Sequence, residues 1–260
     1  MKHRQAGIMA IFSIENGFGE DRVLEWGNGG TFFYNDFQRA RLNARHRVIL
    51  EPLRGEIEGR TVLDLASHDG RWSFAALMLG ARHVVGIECR QELIDFRSPA
   101  FSAMDQSRYQ FIRGDVFDVL PELVRERQRF DVILNLGLFY HVMDHYLMLK
   151  LMRELSPTMI VLDTVLIDSE DAFIKLEMEP TESILNAIEN KYGQPENIVG
   201  LASKGGLNLM ARSLGMNCSP IDWNAAVFSD LRGVNDYFSM GRDGRRRFSL
   251  VLRPQEPPAT

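Results

Sequence analysis

Residues 62–76 read VLDLASHDGRWSFAA, and this stretch decides the fold. The apolar run from Val62 to Leu65 predicts a buried strand, and the segment after Gly70 has apolar residues at helical spacing. In a doubly wound sheet, ligands bind at the carboxyl ends of the strands, where a tight first loop and the next helix N-terminus approach a nucleotide. The stretch therefore predicts a strand, a ligand-binding loop and a helix, with Asp64 beside the ligand.

Outward from this stretch, short runs rich in β-branched residues alternate with longer amphipathic segments. The predicted parallel strands are Thr61–Leu65, His83–Glu88, Tyr109–Arg113, Phe130–Asn135 and Met159–Asp163. Predicted helices run from Trp72 to Leu79, from Phe117 to Arg127 and from Tyr146 to Leu155. Two later strands, Met216–Trp223 and Arg247–Leu252, suit an antiparallel edge. This alternation of predicted strands and helices is typical of a doubly wound α/β fold.

One large domain with additions is the predicted organisation of the 260 residues. Residues 1–55, partly helical from Asp36 to Leu53, are expected to form an N-terminal helical cap over the strand ends. Residues 56–253 form the Rossmann-like domain, within which 165–200 is a possible substrate-cap insertion. Residues 254–260 are expected to be a flexible tail. The aromatic cluster Thr31–Asn35 is either a lid over the ligand or ordinary packing.

Composition narrows the class of protein. Hydrophobic residues make up 45% of the chain and charged residues 25%, which are ordinary values for a globular protein with a full core. The net charge of −5 argues against sequence-independent nucleic-acid binding. No apolar run approaches the ~20 residues that span a bilayer, so no membrane association is expected. Two cysteines far apart in sequence favour a reducing, cytoplasmic setting.

Acidic residues end three successive predicted strands. Glu88 ends the second strand, 24 residues after Asp64, which matches the acid ~20 residues downstream that accepts hydrogen bonds from ribose hydroxyls. Asp115 follows the third strand and could accept from an exocyclic adenine amine, with Val116 packing on the ring. The alternative is that all three acids serve only as helix caps and turn residues and bind no ligand. Their joint order favours an adenosine site.

In the order and spacing of its strand-end acids, the chain resembles the class I S-adenosylmethionine-dependent methyltransferases. The resemblance covers roughly residues 55 to 215. Within that superfamily, Asn135–His141 and Leu162–Asp168, and weakly Gly200–Ser203, resemble the branch that includes the tRNA wobble-uridine carboxymethyltransferases. The resemblance implies a seven-stranded sheet with a reversed C-terminal hairpin, and S-adenosyl-L-methionine as cofactor. The cofactor-contacting residues that it implies are Asp64, Ala66, Ser67, His68, Asp69, Gly70, Glu88, Cys89, Asp115, Val116, Asn135 and Leu136.

The first loop departs from the family pattern. The family normally has several glycines after the acid, whereas this chain has Ala66, Ser67 and His68 before Gly70. His68 is therefore expected to contact either the methionine carboxylate of the cofactor or the substrate. An NAD-type site is disfavoured because no Gly-x-Gly-x-x-Gly follows the first strand.

The catalytic candidates are Tyr140, His141 and Asp163. Tyr140 and His141 follow the fourth strand at the mouth of the expected pocket, where a histidine suits a general base and a tyrosine could orient the nucleophile or face the sulfonium. Packing at a helix N-terminus is the alternative for this pair. His141 and His145 are spaced as a metal pair, but no third ligand is evident, so no metal is expected.

Asn135 and the arginine-rich run before the last strand can each be interpreted in two ways. Asn135 ends a buried run, so its amide either satisfies backbone groups or contacts the cofactor's amino acid part or the substrate. The run Arg242–Arg247 is either a solvated turn or an anion-binding segment.

The leading hypothesis is methyl transfer from S-adenosylmethionine to a small-molecule nucleophile. One alternative is attack on another sulfonium carbon, by cyclisation or aminocarboxypropyl transfer, with release of methylthioadenosine. Another is tRNA wobble-uridine modification, although a nucleic-acid partner is disfavoured by the negative charge. The third alternative is a protein that binds the cofactor as a sensor and catalyses no reaction.

Overall fold

Eleven strands lie in the described parts of this computed structural model, which are residues 10–189, 192–228, 231 and 233–255. In chain order they are β1 (Val23–Trp26), β2 (Gly30–Phe33), β3 (Thr61–Leu65), β4 (His83–Glu88), β5 (Tyr109–Arg113), β6 (Val132–Leu136), β7 (Met159–Ile167), β8 (Ile174–Pro180), β9 (Glu196–Ala202), β10 (Met216–Pro220) and β11 (Arg245–Pro254). Residues 1–9 of the predicted cap and 256–260 of the predicted tail lie outside the described residues.

Seven α-helices accompany the strands in the same described ranges. They are α1 (Asp36–Arg45), α2 (Arg54–Ile57), α3 (Arg71–Met78), α4 (Gln91–Asp95), α5 (Val116–Arg125), α6 (His145–Glu154) and α7 (Lys204–Ser213). No helix among the described residues is both long and apolar enough to cross a lipid bilayer.

The central sheet has seven strands in the order β10-β11-β7-β6-β3-β4-β5. Strands β3 to β7 are parallel, and β11 runs antiparallel to both β7 and β10. The predicted seven-stranded Rossmann-like sheet with a reversed C-terminal hairpin is confirmed. Because the chain passes from β3 outward to β5 and then returns to β6, the strand order switches between β3 and β6, which is where ligands bind in such sheets.

Both faces of the sheet are covered, as a parallel sheet requires. Neighbouring residues of β3 point to opposite faces, so Val62 packs in one apolar cluster with Trp72 and Phe74, and Leu63 packs in the other. All five residues of β6 are buried. The strand-end side chains therefore start from a sheet that is packed on both faces.

Strand β7 is longer than the sequence predicts. It continues four residues past Asp163 because β11 pairs with it antiparallel from Arg245 opposite Ile167 to Leu252 opposite Ile160. The polar residues Asp163 and Thr164 interrupt the apolar pattern that defined the expected strand end. Asp163 consequently lies inside a strand rather than at its end.

Two antiparallel ribbons were not predicted. Strands β1 and β2 form a hairpin ahead of α1, and β8 pairs with β9 between β7 and α7. The predicted helical character from Asp36 is confirmed by α1, which begins with a capping box between Asn35 and Gln38.

Candidate active site

A cavity of about 580 Å³ opens at the carboxyl ends of β3, β4, β5 and β6, a volume within the usual range of ligand pockets. Nine of the predicted site residues line it: Ala66, His68, Glu88, Cys89, Asp115, Val116, Leu136, Tyr140 and His141. Six others lie behind its wall: Asp64, Ser67, Asp69, Gly70, Asn135 and Asp163. The predicted set thus divides into lining residues and residues that support them.

The loop after β3 keeps a left-handed backbone at alternate residues. The φ angles are 50° at Ala66, 56° at His68 and 77° at Gly70. Left-handed backbone is unfavourable for residues with a Cβ, so only Gly70 adopts it freely. The loop therefore has the conformation of a glycine-rich turn but presents two side chains at the cavity wall.

Ala66→Gly is expected to raise the free energy of unfolding by up to about 1 kcal/mol, because the relief of left-handed strain exceeds the extra entropy that glycine loses on folding. Urea denaturation measures the change. Ala76→Gly, within α3, is the matched control and should lower stability by at least ~0.5–1 kcal/mol. Equal destabilisation by both substitutions would show that Ala66 is unstrained.

A buried polar network fixes the loop from behind. Tyr34 donates its hydroxyl hydrogen to Asp69, and Nε of Arg71 donates to the same carboxylate at 2.7 Å. Burial alone would raise the pKa of Asp69, but Arg71 and His68 hold it well below its usual range. Tyr34 is fully buried and Phe32 is nearly so. For these two residues of the aromatic cluster, burial favours ordinary packing over a role as a lid.

His68 faces the cavity as a neutral imidazole. Its Nδ1 lies 2.7 Å from Nη2 of Arg71 and 3.3 Å from Oδ1 of Asp69. Burial and the adjacent guanidinium lower the pKa of His68.

Asp64 links β3 to α3 from behind the wall. Ser73 donates its hydroxyl hydrogen to Oδ2 of Asp64 at 2.7 Å, and burial raises the pKa of Asp64 to about 7. Asn135 donates its amide hydrogen to the sulfur of Met148 at 3.2 Å. Among the described residues, Oδ1 of Asp64, Oγ of Ser67 and Oδ1 of Asn135 have no hydrogen-bond partner.

Two carboxylates occupy the β4 and β5 side of the cavity. The Glu88 carboxylate accepts backbone N–H bonds from His68 at 2.9 Å and from Arg90 at 3.0 Å. Asp115 caps α5 by accepting from the N–H of Phe117 at 2.8 Å, and burial raises its pKa. Each carboxylate oxygen has two lone pairs, so both groups keep acceptor capacity toward the cavity.

Cys89 also lines this side. Burial and the neighbouring Glu88 raise the pKa of its thiol to about 12, so it remains protonated.

Tyr140 and His141 stand on the β6 side in a short 3₁₀ turn, Phe139–His141. Nη2 of Arg247 donates to the Tyr140 hydroxyl oxygen at 2.9 Å. Nδ1 of His141 lies 2.7 Å from Oε2 of Glu179, and that oxygen also accepts from the N–H of Ala187 at 2.7 Å. Sequence reasoning missed Glu179, because no local pattern connects β8 with the end of β6.

The two spaced histidines do not share a site. His145 is buried against Phe139, with ring centroids 4.5 Å apart, whereas His141 faces the cavity. Within the described ranges, no group of three or more His, Cys, Asp or Glu side chains is arranged to hold a metal ion.

Asp163 is fully buried in β7 between two arginines. Its carboxylate accepts from Arg45 at 2.5 Å and from Arg247 at 3.2 Å. Tyr237 and Ser249 donate to it at 3.0 and 2.8 Å. Burial alone would raise the pKa of Asp163, but the two guanidiniums lower it. Direct contact with an acceptor, expected from the sequence, gives way to a supporting position because β7 extends past this residue.

The predicted arginine run divides by side-chain orientation. Arg247 lines the cavity, whereas the adjacent Arg246 pairs with Asp168 at 3.2 Å on the other face of the sheet. Arg41 and Arg45 of α1 also line the cavity and were not singled out in the sequence. The side chain of Arg242 is not among those that the structure describes.

The predicted insertion, residues 165–200, contributes to one side of the cavity. Residues 184–188 between β8 and β9 belong to its lining. Arg90, beside Glu88, donates to the backbone oxygens of Asn186 at 3.0 Å and Ala187 at 3.3 Å. The segment therefore contacts the rest of the cavity wall at two points. One is Arg90, near Glu88, and the other is the pair formed by Glu179 and His141.

Comparison with known sequences identifies a domain family and partial relatives. The family model described as "Methyltransferase domain" matches residues 57–199. Ribosomal RNA large subunit methyltransferase I of Citrobacter koseri is 33% identical over 109 residues, which cover 41% of this chain and 25% of that protein. The Yersinia pseudotuberculosis protein of the same name is 30% identical over 106 residues, which cover 40% and 24%. The matched part thus spans about a quarter of these relatives.

Solved structures share the fold over most of the chain. The N-terminal domain of EvdMO1, crystallised with SAH and D-fucose, aligns with a TM-score of 0.59 and 17% identity and covers 90% of both chains. An S-adenosylmethionine-dependent methyltransferase from Mesorhizobium loti aligns with a TM-score of 0.55 and 15% identity, covering 84% of this chain and 99% of that one.

Proposed function

The chain belongs to the methyltransferase-domain family, and from that premise we propose that it transfers the methyl group of S-adenosyl-L-methionine to a small-molecule nucleophile. One observation carries the proposal. A single cavity joins the Glu88 and Asp115 carboxylates on one side to Tyr140 and His141 on the other. This layout provides one end for an adenosine and another for an acceptor.

The residues on the β4 and β5 side fit the cofactor. Glu88 accepts from three described donors and keeps acceptor capacity for a ribose hydroxyl, and Asp115 with Val116 suits the adenine edge and ring. Gly137 has a φ of 126°, and no described atom lies within 4 Å of where its Cβ would be. That space is available to a ligand between β3 and β6.

When bound, S-adenosylmethionine supplies an electrophilic methyl group on a sulfonium, so the protein mainly aligns the acceptor and excludes water. The insertion loop supports exclusion of water, because it lines the cavity and is attached through Arg90 and Glu179. These contacts also orient the β8–β9 ribbon over the acceptor side.

His141 is the proposed general base. If its Nδ1–H donates to Glu179, Nε2 is left as the acceptor for a proton from a hydroxyl or amine. Glu179 acts as a positioning residue that selects this tautomer. Asp163 is likewise a positioning residue, which holds Arg247 against the Tyr140 hydroxyl.

Calorimetric titration with S-adenosylmethionine and S-adenosylhomocysteine, followed by mass analysis of the incubated cofactor, tests the proposal. Micromolar binding and formation of S-adenosylhomocysteine with an acceptor support methyl transfer. Release of methylthioadenosine would instead indicate cyclisation or aminocarboxypropyl transfer. Binding without turnover of any tested acceptor would favour a sensor, and absence of binding would remove the cofactor assignment.

Glu88→Gln is expected to weaken S-adenosylmethionine binding about tenfold or more, because a hydrogen bond to a charged group contributes about 1.5–3 kcal/mol. Calorimetry measures the affinity. Glu92→Gln, on the exposed side of α4, is the matched control and should bind like wild type. Unchanged affinity in Glu88→Gln would exclude the proposed ribose contact.

A tRNA wobble-uridine acceptor is the second candidate. It is favoured by the likeness of Asn135–His141 to that branch, and an RNA acceptor is favoured by the names of the partial relatives. The net charge of −5 counts against it. Filter binding to tRNA at increasing salt discriminates, because phosphate contacts make the affinity fall steeply with salt, and absence of such binding removes this candidate.

A cytoplasmic setting is part of the proposal. Cys89 and Cys218 are both free thiols, which suits a reducing compartment.

A further inference from the structure

The β8–β9 ribbon has an exposed apolar face next to the cavity, and we propose that this face binds an apolar chain carried by the acceptor. The inference rests on the proposed methyl transfer and specifies its acceptor class. Four side chains, together called the outer strip, form the face: Ile174, Leu176 and Met178 of β8 and Ile198 of β9.

The ribbon turns its charged face toward the protein and its apolar face outward. On the inner face, Glu177 accepts from Nη2 of Arg245 at 2.8 Å, and Oε2 of Glu179 lies 2.7 Å from Nδ1 of His141. A slip of one residue would turn both carboxylates outward and break these pairs, so the pairs specify the register. The residues of the outer strip are consequently between 37% and 59% exposed.

The outer strip is continuous with the cavity. Ile198 lines the cavity, is partly exposed, and lies opposite Met178 in the ribbon. Leu185 also lines the cavity and is half-exposed. The adjacent Asn186 donates its side-chain amide to the backbone oxygen of Pro180 at 2.8 Å, which holds this turn at the end of β8. Apolar side chains therefore lead from the cavity to Met178 without interruption by a charge.

Inside the cavity, the apolar wall begins beside the proposed base. Val142 and Met143 follow His141 directly in the chain, and both line the cavity. Gly200 of β9 donates its backbone N–H to the carbonyl oxygen of Val142 at 2.9 Å, which holds β9 against this segment. A hydroxyl or amine that faces His141 can thus belong to a molecule whose chain passes Val142 and Ile198.

The dimensions of the outer strip suit one chain better than a second copy of the protein. Ile174 and Met178 are four residues apart, which is about 13 Å along a strand, and neighbouring strands are about 4.8 Å apart. With the width of the side chains, the strip covers on the order of 200 Å². A stable protein–protein interface buries about 800 Å² on each partner. A narrow apolar strip that leads out of a cavity matches a single chain.

Calorimetry on protein saturated with S-adenosylhomocysteine tests the inference with three neutral probes that share one headgroup. These are butyl, hexyl and octyl β-glucoside, each used below the concentration at which it forms micelles. A methylene that is fully removed from water raises affinity about fourfold, and one that lies on an open strip about twofold. Octyl glucoside is therefore expected to bind at least about tenfold more tightly than butyl glucoside.

The outcomes separate this inference from the proposed function. Equal affinities across the three glucosides, with S-adenosylhomocysteine bound, would overturn the apolar-chain acceptor alone. Failure of S-adenosylhomocysteine to bind would overturn the proposed function and the acceptor class with it.

Variants on the outer strip locate the effect. Met178→Ser is expected to lower the affinity for octyl glucoside about threefold with unchanged S-adenosylhomocysteine affinity, because Met178 lies outside the cavity lining. Leu176→Ser, two residues farther along β8, should weaken octyl glucoside more than hexyl glucoside. Met78→Ser is the matched control, because Met78 is also exposed but ends α3 away from the cavity. Unchanged octyl glucoside affinity in both strip variants would contradict the inference.

Light scattering and flotation with phosphatidylcholine vesicles test the other occupants of an apolar face. Met178→Ser is expected to leave the oligomeric state unchanged, and the wild-type protein is expected not to float with the vesicles. A wild-type dimer that Met178→Ser dissociates would assign the strip to a second copy. Flotation that Met178→Ser abolishes would assign it to a lipid surface. Either result would overturn the inference.

Discussion

Asp163→Ala is expected to lower the free energy of unfolding by about 3–5 kcal/mol, because removal of one partner from a buried ion pair leaves uncompensated charge. Here two buried guanidiniums, Arg45 and Arg247, lose the carboxylate between them. The hydroxyls of Tyr237 and Ser249 also lose an acceptor. Urea denaturation followed by circular dichroism measures the change.

The control for this prediction is an exposed carboxylate that pairs with an arginine on β11. Glu56 accepts from Arg253 at 2.8 and 2.7 Å, and its side chain is 50% exposed. Glu56→Ala should cost about 1 kcal/mol or less, because solvent screens the pair. A similar small loss in Asp163→Ala would show that Arg45 and Arg247 find other partners or water.

His141→Ala is expected to lower kcat about 10²- to 10⁴-fold, which is the usual contribution of a positioned general base. Affinity for S-adenosylmethionine should stay near wild type, because His141 lies at the β6 side and Glu88 at the β4 side of the cavity. The measurement is steady-state formation of S-adenosylhomocysteine with an acceptor that the wild-type protein methylates, together with calorimetry of the cofactor.

Glu179 provides the related test. Glu179→Ala should lower kcat with little change in cofactor affinity, and Glu179→Gln should recover part of the loss because its amide oxygen can still accept from Nδ1 of His141. His83→Ala, at the start of β4 and therefore at the opposite end of the strands, is the control. A large loss of cofactor affinity in His141→Ala with unchanged kcat would rule out the base.

The sequence predicted the parallel strands well where buried apolar runs end in polar residues. Strands β3, β4 and β5 have the predicted bounds, and β10 and β11 form the antiparallel edge that was predicted for a late pair of strands. It did not predict the ribbons β1–β2 and β8–β9. Strand β8 alternates apolar and charged residues from Ile174 to Glu179, a strand pattern that was overlooked, and its apolar side chains are the exposed ones. The strand-end acids Glu88 and Asp115 face the cavity as predicted, since parallel strands bring their carboxyl ends to one edge.

By itself, then, the sequence determined the doubly wound sheet and the side of the cavity that carries Glu88 and Asp115, because both depend on local periodicity and on strand ends. Tertiary structure alone decided the surroundings of Tyr140 and His141. Glu179 meets His141 across 38 residues, and Arg45 meets Asp163 across 118. The physical reason is that such ion pairs depend on how a ribbon and an N-terminal helix pack on the sheet, and side-chain charge carries no periodic signal that specifies a partner so far along the chain.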